Sequence, residues 1–261
     1  MKQLGYKTVF WYGGFSGWQN IKNYVLAQSF DEFHCADEFS SEGGNAWGCS
    51  DKQLFAEVNK YIAKEQKGEK VFHAILTTSN HPPYTIDVKK EGFDAAALKA
   101  KLTDDINKDD NTVNELGHIW YADKTTGDFV REAEKVAPKS VFIITGDHSE
   151  RFTFAKEQNA RTRAAIPCIF YGYQITSELL QNAKVGCHMQ LAGTLAELYG
   201  EQGMQYSSIL PSMFECHEVF NYNLYGNKDT MESLSKHADM QQKADNARSI
   251  AAWRVLKGNR I

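Results

Sequence analysis

Four short apolar runs separated by helical patterns are the feature that most constrains the fold of this chain. They are "KTVFWYGG" from residue 7, "KVFHAILTTS" from residue 70, "SVFIITGD" from residue 140 and "IPCIFYG" from residue 166. Helical patterns such as "DKQLFAEVNKYIAKEQ" lie between them. Because strands that alternate with helices pair in parallel and need helices on their faces, the pattern predicts an α/β fold with a mostly parallel central sheet flanked by helices.

Start and stop signals place three helical regions. Ser50 can cap a helix whose residues Leu54, Phe55, Val58 and Ile62 form an apolar stripe. The stretch from 176 to 203 predicts a short helix, a strand-like link and a second helix that ends at Gly200. Residues 229–257 predict one long C-terminal helix, with Asp229 and Glu232 spaced as a capping pair and Gly258 just past its end. No repeat or linker marks a boundary, so we expect a single domain over residues 1–261.

Composition excludes several classes of function. A chain of 261 residues that is 42% hydrophobic can bury a sizeable core, and its net charge of −4 gives no general attraction for nucleic acid. The sequence has neither a run of about 18 apolar residues nor the apolar core of a signal peptide. Its five cysteines form no C-x-x-C pair. A Cys35–Cys49 bridge is one expectation, and Cys168 is expected to pack as a small buried side chain.

The first polar cluster is "TTSNHPPY", directly after the second apolar run. It places several hydrogen-bonding side chains at a strand end, and two prolines then stiffen the exit from His81. An imidazole held in this way can grip a phosphate or pass a proton. A purely structural loop histidine is the alternative that the residues leave open.

The second cluster follows the third run, where Asp147 and His148 stand side by side after Gly146. A carboxylate oxygen next to an imidazole nitrogen suits Mn²⁺, Zn²⁺ or Mg²⁺, although a complete site needs at least one further protein ligand. Arg151 follows closely, and Arg161 and Arg163 come further along the chain. These arginines can neutralise a substrate phosphate or be ordinary surface charges.

The third cluster is "FWYGGFSGWQN", a glycine-rich stretch after the first run. Its glycines leave backbone accessible, and Trp18 can present a flat apolar face to a glycerol or sugar. A turn around a buried tryptophan explains the same pattern.

In this order the clusters resemble the extracellular domain of the lipoteichoic acid synthase and phosphoglycerol transferase family, within the sulfatase and alkaline phosphatase superfamily. The resemblance runs from the first residues to about residue 210. The matching segments are "LGYKTVFWYGG" before Trp18, "AWGCSDKQLF" (46–55), "AILTTSNHPPY" (74–84), "YADKTTGDF" (121–129), "IITGDHSER" (143–151), "IPCIFYG" (166–172) and "GCHMQLAGTLAELYG" (186–200).

The resemblance implies a metal-dependent enzyme that transfers or hydrolyses a phosphoglycerol or other phosphoester group, through a covalent intermediate on a threonine. By motif position, Asp147 and His148 look like metal ligands and His81 looks like the histidine that contacts the substrate phosphate. Arg151 is a candidate for the same phosphate, and Trp18 looks like a wall of the glycerol phosphate pocket. The implied cofactor is Mn²⁺, with Mg²⁺ or Zn²⁺ as alternatives. The implied acceptor is a glycan or glycolipid at the extracytoplasmic face of the cell membrane or in the periplasm.

The sequence also departs from the family pattern. Gln19 and Asn20 stand where an arginine often follows the tryptophan, and Gln190 stands where an aspartate is usual. In the family, a strand with a carboxylate ligand, the nucleophilic threonine and membrane-spanning helices all precede the stretch with which this chain begins. We therefore expect an N-terminally truncated domain that is inactive by itself, as the C-terminal part of a longer enzyme, half of a split enzyme or a remnant.

Two alternatives to phosphoglycerol transfer follow from the same residues. A sulfatase or a phosphoethanolamine transferase of the superfamily would share the Asp-His pair. A protein of another class, a non-catalytic module that binds envelope glycan or glycerol phosphate, would keep the pocket without the chemistry.

Overall fold

The computed structural model describes all residues except 40–43, 67, 150, 153, 182, 184, 207, 216, 222 and 258–261. The strands, in chain order, are β1 Lys7–Tyr12, β2 Glu32–Cys35, β3 Val71–Leu76, β4 Val141–Thr145, β5 Cys168–Gly172, β6 Glu218–Phe220, β7 Leu224–Asn227 and β8 Met231–Ser233. The four apolar runs contain β1, β3, β4 and β5, so each predicted strand is confirmed.

Helices connect most of these strands. The α-helices are α1 Ile21–Ala27, α2 Asp51–Ile62, α3 Ala95–Lys101, α4 Asp110–Val136, α5 Ala160–Ala164, α6 Ser177–Leu180, α7 His188–Tyr199 and α8 Ala238–Lys257. Short 3-10 helices span Lys2–Leu4, Trp18–Asn20, Ala36–Glu38 and Leu234–Lys236. In the part of the chain that the structure describes, none of the helices is both long and apolar enough to cross a membrane.

The chain divides into two compact units. One, named the sheet unit here, comprises Tyr6–Gln158 and Ile166–Tyr173; the other, named the C-terminal unit, comprises Met1–Gly5, Asn159–Ala165 and Gln174–Ile261. The grouping of residues 1–261 into a single functional domain stays a prediction.

A parallel three-stranded sheet in the order β2-β1-β3 forms the centre of the sheet unit. Side chains of β1 alternate between its faces, as expected for a strand. Val9 and Trp11 are buried in one apolar cluster, while Tyr12 is buried in another with Val25 of α1. Both faces of β1 are therefore covered, and the predicted α/β class with a parallel sheet is confirmed.

Helices α2 and α4 cover the first of these faces. Ser50 caps α2 by accepting a hydrogen bond from the backbone N–H of Gln53, as its position predicts. Leu54 and Val58 are fully buried against this face, and the ring of Phe55 stacks on that of Phe129 of α4 at 4.6 Å. Burial of each such side chain contributes about 1.5–3 kcal/mol, so this layer holds the sheet firmly.

The pair β4–β5 differs from the expected parallel arrangement because its two strands are antiparallel. The connection between them carries only the five-residue helix α5, and an antiparallel pair needs no crossover helix. Phe142 and Ile144 of β4 still pack against the core of the sheet unit. Cys168 of β5 is exposed, so the expectation that it is buried is wrong. Its strand pairs with β4 alone among the described strands.

The C-terminal unit contains the antiparallel sheet β6-β7-β8 and a core that includes Leu210, Phe220 and Leu234. The predicted helix over residues 229–257 begins only at Ala238, because Met231–Ser233 pairs with β7 as a strand. Glu232 is therefore no capping residue, and its carboxylate instead binds His237 at 2.9 Å. Gly258, the predicted end signal, lies outside the described residues.

The expected Cys35–Cys49 bridge is wrong, since both thiols are free and buried. Burial raises the pKa of each thiol to about 11, so both stay protonated near neutral pH. The Cys35 thiol donates to Asp37 at 3.3 Å instead.

Candidate active site

The loop that carries His81 begins at the carboxyl end of β3, beside the end of β1. The backbone N–H of Gly13, just after β1, donates to the carbonyl of Leu76 at 2.9 Å. Parallel strands bring their carboxyl ends to one edge of a sheet, which is where ligands bind in open α/β folds. The loop from Thr77 to Ile86 therefore lies at the edge that the sequence pattern indicates.

His81 lies between an arginine and a tryptophan. Arg151 Nη1 is 3.2 Å from His81 Nε2, and the ring of Trp47 is 4.7 Å from the imidazole. A guanidinium can only donate, so Nε2 accepts and the proton of a neutral ring sits on Nδ1. That proton is donated to the carbonyl of Pro82 at 2.6 Å. The contacts thus assign His81 to one neutral tautomer with Nε2 facing a cation.

Asp51, at the start of α2, holds the first part of this loop. Its Oδ1 accepts hydrogen bonds from the backbone N–H groups of Thr78 at 3.0 Å and Ser79 at 2.9 Å. In return, the N–H of Asp51 donates to Ser79 Oγ at 2.8 Å. Asp51 is 1% exposed, and burial raises the pKa of its carboxyl although the two backbone bonds oppose the shift. A buried carboxylate is costly, and here its role is to fix the loop.

Helix α4 holds the second part of the loop. His118 is fully buried; its Nε2 accepts from the N–H of Ile86 at 3.0 Å, and its Nδ1 donates to the carbonyl of Asn114 at 2.9 Å. Burial lowers the pKa of His118, in agreement with a neutral ring that accepts a hydrogen bond. Asn114 also donates to the carbonyl of Tyr84 at 3.3 Å. The loop that carries His81 is therefore fixed at one end by α2 and at the other end by α4.

The positive charge of Arg151 also influences Tyr84, a residue of the same loop. Burial is the largest cause that raises the pKa of the Tyr84 hydroxyl, and the hydrogen-bonded, charged Glu115 adds to it. The positive charge of Arg151 opposes this shift. Glu115 is 7% exposed on α4, so its charge and that of Arg151 act on the Tyr84 hydroxyl in opposite directions.

Gly48 allows the segment that carries Trp47 to approach the end of β1. Its φ of +145° is rarely adopted by other residues, and a Cβ at this position would collide with the carbonyl of Gly13. Beside it, the N–H of Cys49 donates to that same carbonyl at 2.9 Å. Asn45 then links this segment to the His81 loop through Thr85 Oγ1 at 2.7 Å.

Asp147 and His148 follow β4 and contact each other. The backbone N–H of His148 donates to Asp147 Oδ1 at 2.9 Å, and His148 Nε2 lies 3.3 Å from Asp147 Oδ2. The carboxylate side chain is 71% exposed and the imidazole 36% exposed. Both side chains can therefore reach the same face, which neighbouring residues of a continuing strand could not do.

The donor set of this pair fits a divalent metal ion as two of its ligands. A carboxylate oxygen and an imidazole nitrogen are ordinary ligands of Mn²⁺ and Zn²⁺. Within the described ranges, no group of three or more His, Cys, Asp or Glu side chains is arranged to hold a metal ion. By themselves, Asp147 and His148 could supply two ligands of such an ion.

Trp18 begins the 3-10 helix after β1, and 42% of it is exposed. This exposure shows that the alternative of a buried tryptophan is wrong. The Trp18 ring lies 5.9 Å from that of Tyr12. Gln19 and Asn20 both adopt positive φ, of 45° and 59°. The turn therefore presents the indole outward.

The contacts described above join two pairs of predicted site residues, His81 with Arg151 and Asp147 with His148. Trp18 is joined to neither pair by them. Arg161 is used elsewhere, because its Nη2 donates to the carbonyls of Asn227 and Lys228 at 3.2 and 2.9 Å. The sequence analysis did not identify Asp51 and His118 as anchors of the loop. The Ser-Asp pair at the start of α2 could have indicated Asp51, whereas no sequence pattern indicates His118.

Gln190, the departure in α7, is fully buried and has a structural role. Its Nε2 donates to the carbonyls of Pro211 and Ser212 at 3.1 and 3.4 Å, and its Oε1 accepts from the N–H of Cys187 at 3.0 Å. A carboxylate could not donate to those carbonyls. The glutamine thus fits this position as an aspartate would not.

Solved structures with the same architecture define the class of this fold. The lipoteichoic acid synthase LtaP from Listeria monocytogenes is 17% identical, with a TM-score of 0.68 over 98% of this chain and 72% of that one. A protein of the alkaline phosphatase superfamily from Vibrio parahaemolyticus is 20% identical, with a TM-score of 0.61 over 98% of this chain and 66% of that one. The fold is that of the alkaline phosphatase superfamily.

The family is shown by the sequence itself. The family model described as Sulfatase matches residues 1–201, more than half of the chain. The chain therefore belongs to the sulfatase family. This is a family of enzymes, and members of its superfamily depend on divalent metal ions.

Proposed function

We propose that this chain carries part of the active site of a metal-dependent enzyme that transfers or hydrolyses a phosphoglycerol or related phosphoester group of the cell envelope. The observation that carries the proposal is the His81–Arg151 pair, held at the strand edge by buried groups of α2 and α4. A fixed cation beside a fixed imidazole is suited to a phosphate group. The preference for phosphoglycerol rests on the order and separation of the "TTSNHPPY" and "GDH" motifs.

Asp147 and His148 would hold the divalent metal ion, which we propose to be Mn²⁺. When bound, such an ion supplies charge that stabilises an alkoxide nucleophile and the phosphoryl oxygens. Asp147 Oδ2 and His148 Nε2 lie 3.3 Å apart, and these two atoms would hold the ion. Asp147 and His148 would share this ion with ligands contributed from elsewhere in the active site.

Arg151 and His81 would bind the phosphate. The guanidinium of Arg151 offers several donors, and a phosphate oxygen that takes the Nη1 donor now directed at His81 would release His81 Nε2 from its present contact. Nε2 is then free to accept a proton from the substrate or, once protonated, to donate to a phosphoryl oxygen. The outward face of Trp18 would pack against the glycerol carbons.

We propose further that the nucleophilic threonine of the family is not among these residues, because none of the segments matching the family motifs is its nucleophile segment. The isolated chain would then bind metal and phosphate ester without catalytic turnover. In its natural setting it would work at the extracytoplasmic face of a membrane. Phosphodiester turnover that His148→Ala abolishes would show that the nucleophile lies within the chain.

Titration of the chain with glycerol phosphate in the presence of Mn²⁺, followed by calorimetry, tests the phosphate site. Because a hydrogen bond to a charged group contributes about 1.5–3 kcal/mol, we expect Arg151→Gln to weaken binding by roughly 10-fold to 100-fold, and His81→Gln to weaken it as well. Arg131→Gln is the matched control, since Arg131 is an exposed arginine of α4 that pairs with Asp128.

Wild-type affinity in both site variants would contradict the proposal. A methyl sulfate titration separates the sulfatase alternative, which requires the sulfate ester to bind at least as tightly as the phosphate ester. A non-catalytic module would bind glycerol phosphate equally well with and without Mn²⁺.

A further inference from the structure

The C-terminal half of α8 is exposed along its whole described length. Ala244 and Ala247 are buried, whereas every residue from Arg248 to Lys257 is exposed. A helix of ten residues is marginal in water by itself, since its stability normally comes from one packed face. This half of the helix therefore has a surface that another structure can cover.

That surface is apolar along one side. Ile250, Trp253 and Leu256 follow one another at three-residue spacing and are 48%, 43% and 79% exposed. At about 100° per residue, Trp253 and Leu256 point away from the buried Ala244 and Ala247, and Ile250 lies at the edge of the same stripe. An indole and two branched aliphatic side chains on one stripe are a large apolar exposure for the end of a surface helix.

The end of the same segment is basic. Arg254 and Lys257 are its charged residues beyond Arg248, which pairs with Asp245 at 3.0 Å, and from Asn246 to Lys257 the sequence has no acidic residue, although the whole chain carries a net charge of −4. The helix dipole accounts for cations in the last turn but not for the tryptophan and leucine beside them.

A hollow adjoins this half of the helix. It has a volume of about 650 Å³ and is lined by Gln3, Met204, Gln205, Tyr206 and Arg254. Arg254 thus faces both the basic surface and a space large enough for a polar headgroup.

We propose that the exposed half of α8 is a binding surface for an anionic phospholipid bilayer. Tryptophan and leucine insert at the boundary between headgroups and acyl chains, while arginine and lysine reach the phosphates. A second copy of the chain fits less well, because a two-fold contact would place like-charged residues of the same helix against each other. This surface is separate from the proposed phosphoester chemistry and does not depend on it.

Co-sedimentation of the full chain with vesicles tests this inference. Vesicles of equal parts phosphatidylserine and phosphatidylcholine are compared with pure phosphatidylcholine, at low and high salt. We expect binding to the anionic vesicles alone, and weaker binding at high salt. The double variant Arg254→Gln with Lys257→Gln should lower the partition coefficient roughly 25-fold, at about fivefold for each cation.

The variant Trp253→Ser with Leu256→Ser should also lose binding while charge is unchanged. The matched control is Lys135→Gln with Val136→Ser, an exposed cation and an exposed apolar residue of α4, which should bind as wild type. Unchanged circular dichroism excludes a folding defect. Absence of binding to anionic vesicles, or binding that the α8 variants leave intact, would overturn the inference. Concentration-dependent dimerisation that these variants abolish, without vesicle binding, would assign the surface to a second copy instead.

Discussion

Asp51 and His118 are the residues that decide where His81 stands, although neither is placed to touch a substrate. Both are almost fully buried, and the side chain of each accepts hydrogen bonds from backbone N–H groups of the loop. Buried polar groups of this kind are expensive, the more so because Asp51 Oδ2 has no hydrogen-bond partner among the described residues. Their presence therefore indicates that the position of the loop, and not only its composition, is under structural control.

Replacement of Asp51 should separate its hydrogen bonding from its charge. Asp51→Ala leaves the N–H groups of Thr78 and Ser79 without an acceptor, and we expect a loss of about 2–4 kcal/mol in the free energy of unfolding. Asp51→Asn keeps an acceptor and should cost less. Urea unfolding measures both, with the exposed Asp104→Ala as a control expected within about 0.5 kcal/mol of wild type. Equal losses in the alanine and asparagine variants would contradict this role.

At the scale of elements, Lys7, Glu32 and Tyr61 tie β1, β2 and α2 together. Lys7 Nζ lies 2.6 Å from Glu32 Oε1 and 2.7 Å from the Tyr61 hydroxyl, which donates to Glu32 Oε2 at 2.8 Å. Burial alone would raise the pKa of Glu32, but hydrogen bonds from Lys7, His34 and Tyr61 outweigh it and lower the pKa to about 2. The ionised carboxylate is thus favoured in the folded state.

The lowered pKa of Glu32 predicts a pH dependence of stability. Its ordinary value is 4.5, so the stabilisation is complete above that pH and is lost as the pH falls toward 2. Because the side chains are 34% exposed, we expect Glu32→Gln to cost only about 1 kcal/mol at neutral pH and close to nothing near pH 2. Thermal unfolding across this range measures the difference, with Glu157→Gln, at an exposed glutamate, as a surface control. A cost independent of pH would refute the assignment.

The sequence predicted those elements whose own residues determine them. The runs at β1, β3, β4 and β5 are apolar and bounded by small or polar residues, and Ser50 caps α2 as expected. It did not predict β8, because Asp229 and Glu232 have the spacing of a helix cap while pairing with β7 decides the conformation. The direction of β5 depended likewise on its partner strand.

The candidate site was predictable in its parts and not in its connections. The strand-end clusters identified His81, Asp147, His148 and Arg151 as candidates. The contact between His81 and Arg151 joins residues 70 positions apart, so no local pattern could reveal it. The free thiols of Cys35 and Cys49 show the converse, since their spacing suggested a bond that the fold does not make.

At the scale of the whole molecule, the sheet unit contains Trp18, His81, Asp147, His148 and Arg151, and the C-terminal unit contains the basic apolar half of α8. The sheet unit is the part that presents strand ends and anchored loops. The proposed phosphoester chemistry therefore depends on one unit, and the proposed lipid contact on the other, so that variants in either can be tested separately.

Equilibrium dialysis of Mn²⁺ against the wild-type chain and Asp147→Ala is the measurement that tests the central claim most directly. Even a residue that only orients a metal ligand typically contributes 10-fold to 100-fold to affinity, so loss of the ligand Asp147 should weaken binding at least about tenfold. Asp229→Ala removes another exposed carboxylate and should leave binding unchanged. If Asp147→Ala binds Mn²⁺ as tightly as the wild type, Asp147 and His148 are not a metal site.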